Sequence, residues 1–166
     1  MASKPDAVPV LLFVCSGNIC RSPMAAAIAQ RAADSKTIAL RAESCGTRAL
    51  VGEPAEPNAQ EMVSELGLSL AGHRARQVTR EMVLDAALVV ALTRLHGVQL
   101  ELLGSDLAEC IVSFGDLTGL GDIPDPFGAS LDVYCRVRDM LVEGMPDVLR
   151  EFKARIARSA NSARVP

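Results

Sequence analysis

The chain has 166 residues, 49% of them apolar, with 17 Lys and Arg against 20 Asp and Glu and a formal net charge of −3. That length and composition suit one domain with a substantial core, and the slightly acidic balance argues against nucleic acid or an anionic membrane as partner. Five cysteines, an odd number with no close-pair spacing and with His73 and His96 lying apart from them, argue against a disulfide framework or a zinc site.

Taken in chain order, residues 1–8 are polar, small and proline-containing, and read as a flexible leader before a domain spanning residues 9–160, with residues 161–166 as a flexible tail. The longest apolar run, Val8 to Cys15, is broken by Pro9 and is far too short to span a bilayer. No cationic segment followed by a long apolar one marks a secretory signal, so a soluble, cytoplasmic protein is expected. Val10 to Val14 reads as a strand buried on both faces. Ser16-Gly17-Asn18 is a turn signal, and Pro23 with the alanine-rich stretch Met24–Ala33 reads as a helix. Thr37–Glu43 is strand-like, Ser44–Pro57 a long loop, and Asn58–Leu66 a helix stopped by Gly67. Thr79-Arg80-Glu81-Met82 resembles a capping box with its acid one position early. Ala86–Leu92 predicts a central strand, Arg94–Leu103 a helix closed by Gly104, and Cys110–Phe114 a short strand. Gly115–Gly128, rich in Gly, Pro and Asp, reads as a loop. Leu131–Ser159 predicts a long amphipathic helix interrupted at Gly144 and Pro146. Strands alternating with helices imply a single α/β domain with a four-stranded parallel sheet and helices on both faces. Ligands bind such sheets beyond the C-terminal ends of the strands, where the loop after the first strand and the Gly115–Gly128 loop both lie.

The first of these loops is Cys15-Ser16-Gly17-Asn18-Ile19-Cys20-Arg21-Ser22-Pro23. It leaves a buried strand, turns tightly and enters a helix, so its backbone N–H groups can converge beside the positive helix N-terminus to form an anion cradle. Gly17 can take a left-handed backbone conformation without cost, and Asn18 tolerates one. Arg21 supplies a forked donor matched to two phosphate oxygens. A cationic, N–H-rich site favours the thiolate of a cysteine such as Cys15, which makes attack on phosphorus the natural chemistry. The six-residue step from Cys15 to Arg21 is the spacing of cysteine-dependent phosphatases.

At these residues the sequence resembles the low-molecular-weight protein tyrosine phosphatase family, and the resemblance runs from Val10 to the final helix. It implies two-step hydrolysis of phosphate monoesters with no metal or other cofactor, a phosphorylated protein as substrate, and inorganic phosphate or similar oxyanions as active-site ligands. Cys15 would be the nucleophile. Arg21 and the backbone of Ser16, Gly17, Asn18, Ile19 and Cys20 would hold the phosphoryl oxygens, and Ser22 would hydrogen-bond the Cys15 sulfur. Asp122-Ile123-Pro124-Asp125-Pro126 resembles the family's Asp-Pro loop, which makes Asp125 the general acid. Alone, that segment would read as an ordinary turn, and Asp116 and Asp122 are weaker candidates from the same loop. Ser22, Ser44 and His73 match positions that hold the loop asparagine, here Asn18. Cys20 has two readings, a packed small residue or a reversible disulfide partner of Cys15.

The substrate signals diverge. Ile19 matches the tyrosine-specific branch, whereas the related protein-arginine phosphatases carry Thr there. Phe127-Gly128 after the Asp-Pro pair is nearer the arginine branch, although Phe127 can stack on a ring and Leu50 can line the wall. Phosphotyrosine is the favoured substrate, with phosphoarginine the alternative. Thioredoxin-coupled arsenate reductases share the fold, but they need two further cysteines after the third strand, and Leu92–Gly97 has none.

Overall fold

The computed structural model describes residues 8–162. Its elements are β1 (Val10–Cys15), α1 (Arg21–Ser35), β2 (Arg41–Gly46), α2 (Pro57–Ser64), α3 (Arg80–Asp85), β3 (Ala86–Ala91), α4 (Arg94–Glu101), a 3-10 helix (Ser105–Cys110), β4 (Ile111–Ser113), α5 (Phe114–Thr118) and α6 (Leu131–Ser162). All strand pairs are parallel, in the order β2-β1-β3-β4. The sheet is the four-stranded parallel one that the alternation of elements predicts.

The strand pleat sorts side chains into two cores. Leu11, Phe13 and Cys15 of β1 face one way, into a cluster with Met24 and Ile28 of α1, Met62 of α2 and Tyr134, Leu141 and Phe152 of α6. Leu12 and Val14 face the other way, toward Val83 of α3, Leu100 of α4 and Leu107 of the 3-10 helix. The all-apolar β1 and β3 are therefore the central strands, buried on both faces.

Several boundaries differ from the sequence reading for identifiable reasons. β2 begins at Arg41, not Thr37, because Thr37 takes a left-handed conformation (φ 55°) where the chain leaves α1. It continues to Gly46 because each of its residues pairs with β1, from Val10–Arg41 to Cys15–Gly46. α3 is a full short helix: Thr79 caps it, its hydroxyl accepting from the Met82 N–H. Phe114 opens α5 rather than closing β4, and this helix occupies the start of the expected Gly115–Gly128 loop. α6 runs without interruption through Gly144 and Pro146. The proline removes the N–H that would bond the carbonyl of Val142, a residue exposed to solvent. Gly144 lets Phe114 approach: a Cβ there would stand 2.3 Å from the ring's Cζ. α6 also extends through the first two residues of the expected tail, to Ser162. The rest of that tail, and residues 1–7 of the leader, lie outside the described residues. Among the described residues no helix is long and apolar enough to cross a membrane.

Candidate active site

Beyond the C-terminal end of β1, residues 15–21 fold around a cavity of about 230 Å³ lined by Cys15 to Arg21 together with Arg48, Leu50, Asp125 and Phe127. The loop's shape follows from where its carbonyls go. Cys15, Ser16 and Gly17 oxygens accept from the N–H groups of Thr47, Arg48 and Leu50, those of Ile19 and Cys20 from Glu56 and Met24, and the Asn18 oxygen from His73 Nε2 at 2.6 Å. All six carbonyls are thus drawn to neighbouring segments. Among the described residues no N–H of residues 16–20 is taken by a protein acceptor. α1 likewise starts without a side-chain cap, at Cys20. Free N–H groups and an uncapped helix N-terminus make a binding site for a compact anion.

Asn18 is the keystone of the loop. It is fully buried in a left-handed conformation (φ 58°), so the strained position is Asn18 and not Gly17. A Cβ on Gly17 would meet Ile19 and Leu50 only at ordinary contact distances. The Asn18 amide nitrogen donates to Ser22 Oγ and Ser44 Oγ, both at 2.9 Å, and its side-chain oxygen accepts from the Arg76 N–H. Ser44 lies within β2, not beyond it. Arg76 is itself held by Glu43, whose carboxyl is kept below its usual range by the Arg76 and Arg41 guanidiniums against the opposing cost of burial. Because a carbonyl can only accept, His73 donates from Nε2; partial burial pushes its pKa below the ordinary histidine value, toward this neutral form.

At the floor, Cys15 Sγ lies 3.0 Å from Ser22 Oγ. Arg21 is 5% exposed and spans the cavity side. One guanidinium nitrogen donates to the Ile123 carbonyl at 3.2 Å and the other stands 3.2 Å from Asp125 Oδ2. The Ile123 N–H bonds the Leu92 carbonyl at the end of β3, which ties the Asp-Pro loop to the sheet. Asp116 pairs with the Arg94 side chain, and Asp122 accepts from the Arg94 N–H at the start of α4. Asp125 is therefore the carboxylate of this loop that reaches the cavity. Ile19, Leu50 and Phe127 form its apolar walls, with Phe127 63% exposed at the mouth.

Cys20 packs against Tyr134, with Sγ 3.4 Å from the phenol oxygen, and burial pushes its thiol up to about 11.

Three residues of the site escape sequence reading. Gly46 ends β2 where a Cβ would stand 2.2 Å from the Ser16 carbonyl oxygen, so only glycine lets the strand end pass under the loop. Arg48 is carried to the rim by its backbone bond to Ser16. His96, on the first turn of α4, is 2% exposed and sits 2.9 Å from Ser16 Oγ. Burial, reinforced by the Arg21 charge, pushes its pKa down to about 4. Gly46 and Arg48 sat in a segment read only as loop, and His96 in one read only as helix; no local pattern marks any of the three.

Fold and site together define a single-domain α/β protein with a cysteine at the base of an anion cradle. The chain belongs to the low molecular weight phosphotyrosine protein phosphatase family, whose sequence profile matches residues 10–159. It is 35% identical to the low molecular weight protein-tyrosine-phosphatase Wzb of Escherichia coli K12, over 79% of this chain and 86% of that protein. It is 32% identical to a protein-arginine-phosphatase of Bacillus subtilis, over 86% of this chain and 96% of that one. Among solved structures, a low molecular weight protein tyrosine phosphatase from T. tengcongensis superposes with a TM-score of 0.82 at 32% identity, covering 86% of this chain and 99% of that one.

Proposed function

We propose that the chain is a protein tyrosine phosphatase acting through a cysteinyl-phosphate intermediate. The observation that carries this reading is the placement of Cys15, Arg21 and Asp125 around one anion-shaped cavity with apolar walls. The phosphoryl group sits in the cradle, its oxygens held by the N–H groups of residues 16–20 and by the Arg21 guanidinium, which binds two of them. The Cys15 thiolate attacks phosphorus in line. As the S–P bond forms, the P–O bond to the tyrosyl oxygen breaks, and Asp125 gives that oxygen its proton. In the second step Asp125, now a carboxylate, takes a proton from water as the water oxygen attacks phosphorus. The S–P bond breaks, and inorganic phosphate leaves.

Ser22 serves the sulfur in both steps. Asn18 donates to its oxygen, so the single Ser22 proton goes outward to one of two acceptors, Cys15 Sγ at 3.0 Å or the Cys45 carbonyl at 3.3 Å, and a charged thiolate is the stronger of the two. That contact stabilises the thiolate as nucleophile and as leaving group.

Ile19, Leu50 and Phe127 favour an aromatic ring between them, which supports phosphotyrosine as substrate. Arg48 at the rim points the same way, because an exposed cation repels the guanidinium of phosphoarginine more than a neutral phenol ring. Five free cysteines, and a mechanism that needs Cys15 reduced, fit a reducing compartment such as the cytoplasm.

The test is turnover of phosphotyrosine and phosphoarginine peptides under reducing conditions without added metal, with Cys15→Ser as control. Phosphotyrosine turnover lost in the variant is expected. A clear preference for phosphoarginine would mean that Phe127-Gly128 outweighs Ile19 in setting the substrate. Turnover of neither would remove the phosphatase reading.

A further inference from the structure

His96 is a buried titratable group to which the mechanism above gives no part. Its Nε2 lies 2.9 Å from Ser16 Oγ, while its Nδ1 is buried without a hydrogen-bond partner among the described residues. Ser16 directly follows the nucleophile and lines the cavity. Among the described residues its hydroxyl has no side-chain partner other than His96.

A neutral imidazole carries one N–H, so two arrangements are open. With the proton on Nδ1, a donor would be buried with no acceptor, which costs the full desolvation of that group. Ser16 would then donate to Nε2 and turn only lone pairs toward the anion site. With the proton on Nε2, the ring donates to Ser16 Oγ, and the orphan is a ring lone pair, a lesser penalty than an orphan N–H. The Ser16 proton is then free to point at the ligand. Burial keeps the ring neutral, so this choice between tautomers governs the hydroxyl across the neutral range.

We propose that His96 is a positioning residue: by donating from Nε2 to Ser16 Oγ it turns the Ser16 hydroxyl into the cavity as a hydrogen-bond donor to an oxygen of the bound phosphoryl group. The proposal rests on the cavity being a phosphate site, and it adds a side-chain donor to the backbone cradle. The rigid start of α4 makes the ring a fixed post for this purpose. Thr93 caps that helix by accepting from the His96 N–H, and the Leu92 N–H bonds the Val14 carbonyl of β1.

The experiment uses the full chain with inorganic phosphate as probe. Nitrogen NMR of histidine-labelled protein should show His96 as the neutral Nε2–H tautomer. Ser16→Ala should weaken phosphate binding by roughly tenfold, the usual loss for one hydrogen bond to a charged group. His96→Ala should weaken it similarly, the double variant should be no worse than either single one, and His96→Gln, which keeps an N–H donor, should restore most of the affinity. An Nδ1–H tautomer, losses that multiply in the double variant, or phosphate affinity unchanged in Ser16→Ala would overturn the proposal. If His96→Ala does not fold, the tautomer and the Ser16 variant decide. Wild-type protein that binds no phosphate would sink the phosphate-site reading itself, an outcome distinct from bound phosphate that ignores Ser16.

Discussion

Gly46 shows how a residue with no chemistry of its own can set the chemistry of a site. It ends β2 beneath the cradle, and any Cβ there would collide with the Ser16 carbonyl and press on Asn18, whose backbone N and Cβ lie 3.1 Å from the Cβ position. The collision is with backbone, which cannot swing aside as a long side chain can. Gly46→Ala should therefore displace the loop that carries Cys15. We expect kcat to fall by about 100-fold, the usual consequence of misplacing reacting groups by an ångström. Stability should fall by about 1–3 kcal/mol. Steady-state kinetics and urea unfolding check both effects. Kinetics like those of the wild type would show that the loop tolerates the intrusion.

Gly144 plays the corresponding part between elements. α6 crosses α5 so closely that a Cβ at position 144 would stand 2.3 Å from Phe114 Cζ and 2.8 Å from Thr118 Cγ2. Phe114 is fully buried and cannot withdraw. Gly144→Ala should thus destabilise the protein by about 1–3 kcal/mol despite the better helix propensity of alanine, while leaving KM for phosphotyrosine unchanged. A urea midpoint at or above the wild-type value would contradict that packing. The same contact explains what was and was not legible in the sequence. Local patterns carry the apolar strands β1 and β3, the alanine-rich α1 and the cradle motif, because burial on both faces and tight turns constrain residues that are neighbours in the chain. They do not carry the continuity of α6: Gly144 and Pro146 signal a break locally, and the reason for the glycine lies in Phe114, thirty residues away in sequence. β2 is displaced in the same manner, since its span is set by pairing with β1 and not by its own composition. Cys15, Arg21 and Asp125 were readable from their motifs. Gly46, Arg48 and His96 were not, since each acquires its part only when a distant segment is brought against the loop.

For the molecule as a whole, the buried His96 and the half-buried His73 near the cradle make stability depend on pH in one direction. His96 has a pKa near 4 in the fold and about 6.5 in an unfolded chain. Between those values the unfolded chain binds a proton that the folded one refuses, so stability rises with pH and is lost as pH falls from about 6.5 toward 4. The contribution is of order 3 kcal/mol at neutral pH. His73, also shifted downward by burial, adds in the same sense. His96→Asn removes the larger share. The stability gap between wild type and variant, measured by urea unfolding at pH 7, 5 and 4, should therefore narrow steadily as pH is lowered. A gap that stays constant would mean that the imidazole is not held neutral by the fold.

The proposed mechanism turns on one event, transfer of a phosphoryl group to Cys15. The most direct measurement is rapid acid quench of the enzyme during phosphotyrosine turnover, followed by mass spectrometry of the peptide carrying residues 15–21. The account predicts phosphate on the Cys15 sulfur, accumulating when Asp125→Asn slows the second step with a substrate whose leaving group needs no proton, and absent in Cys15→Ser turnover. Full turnover by Cys15→Ser, or steady phosphate release with no phosphorylated Cys15 at any time, would contradict it.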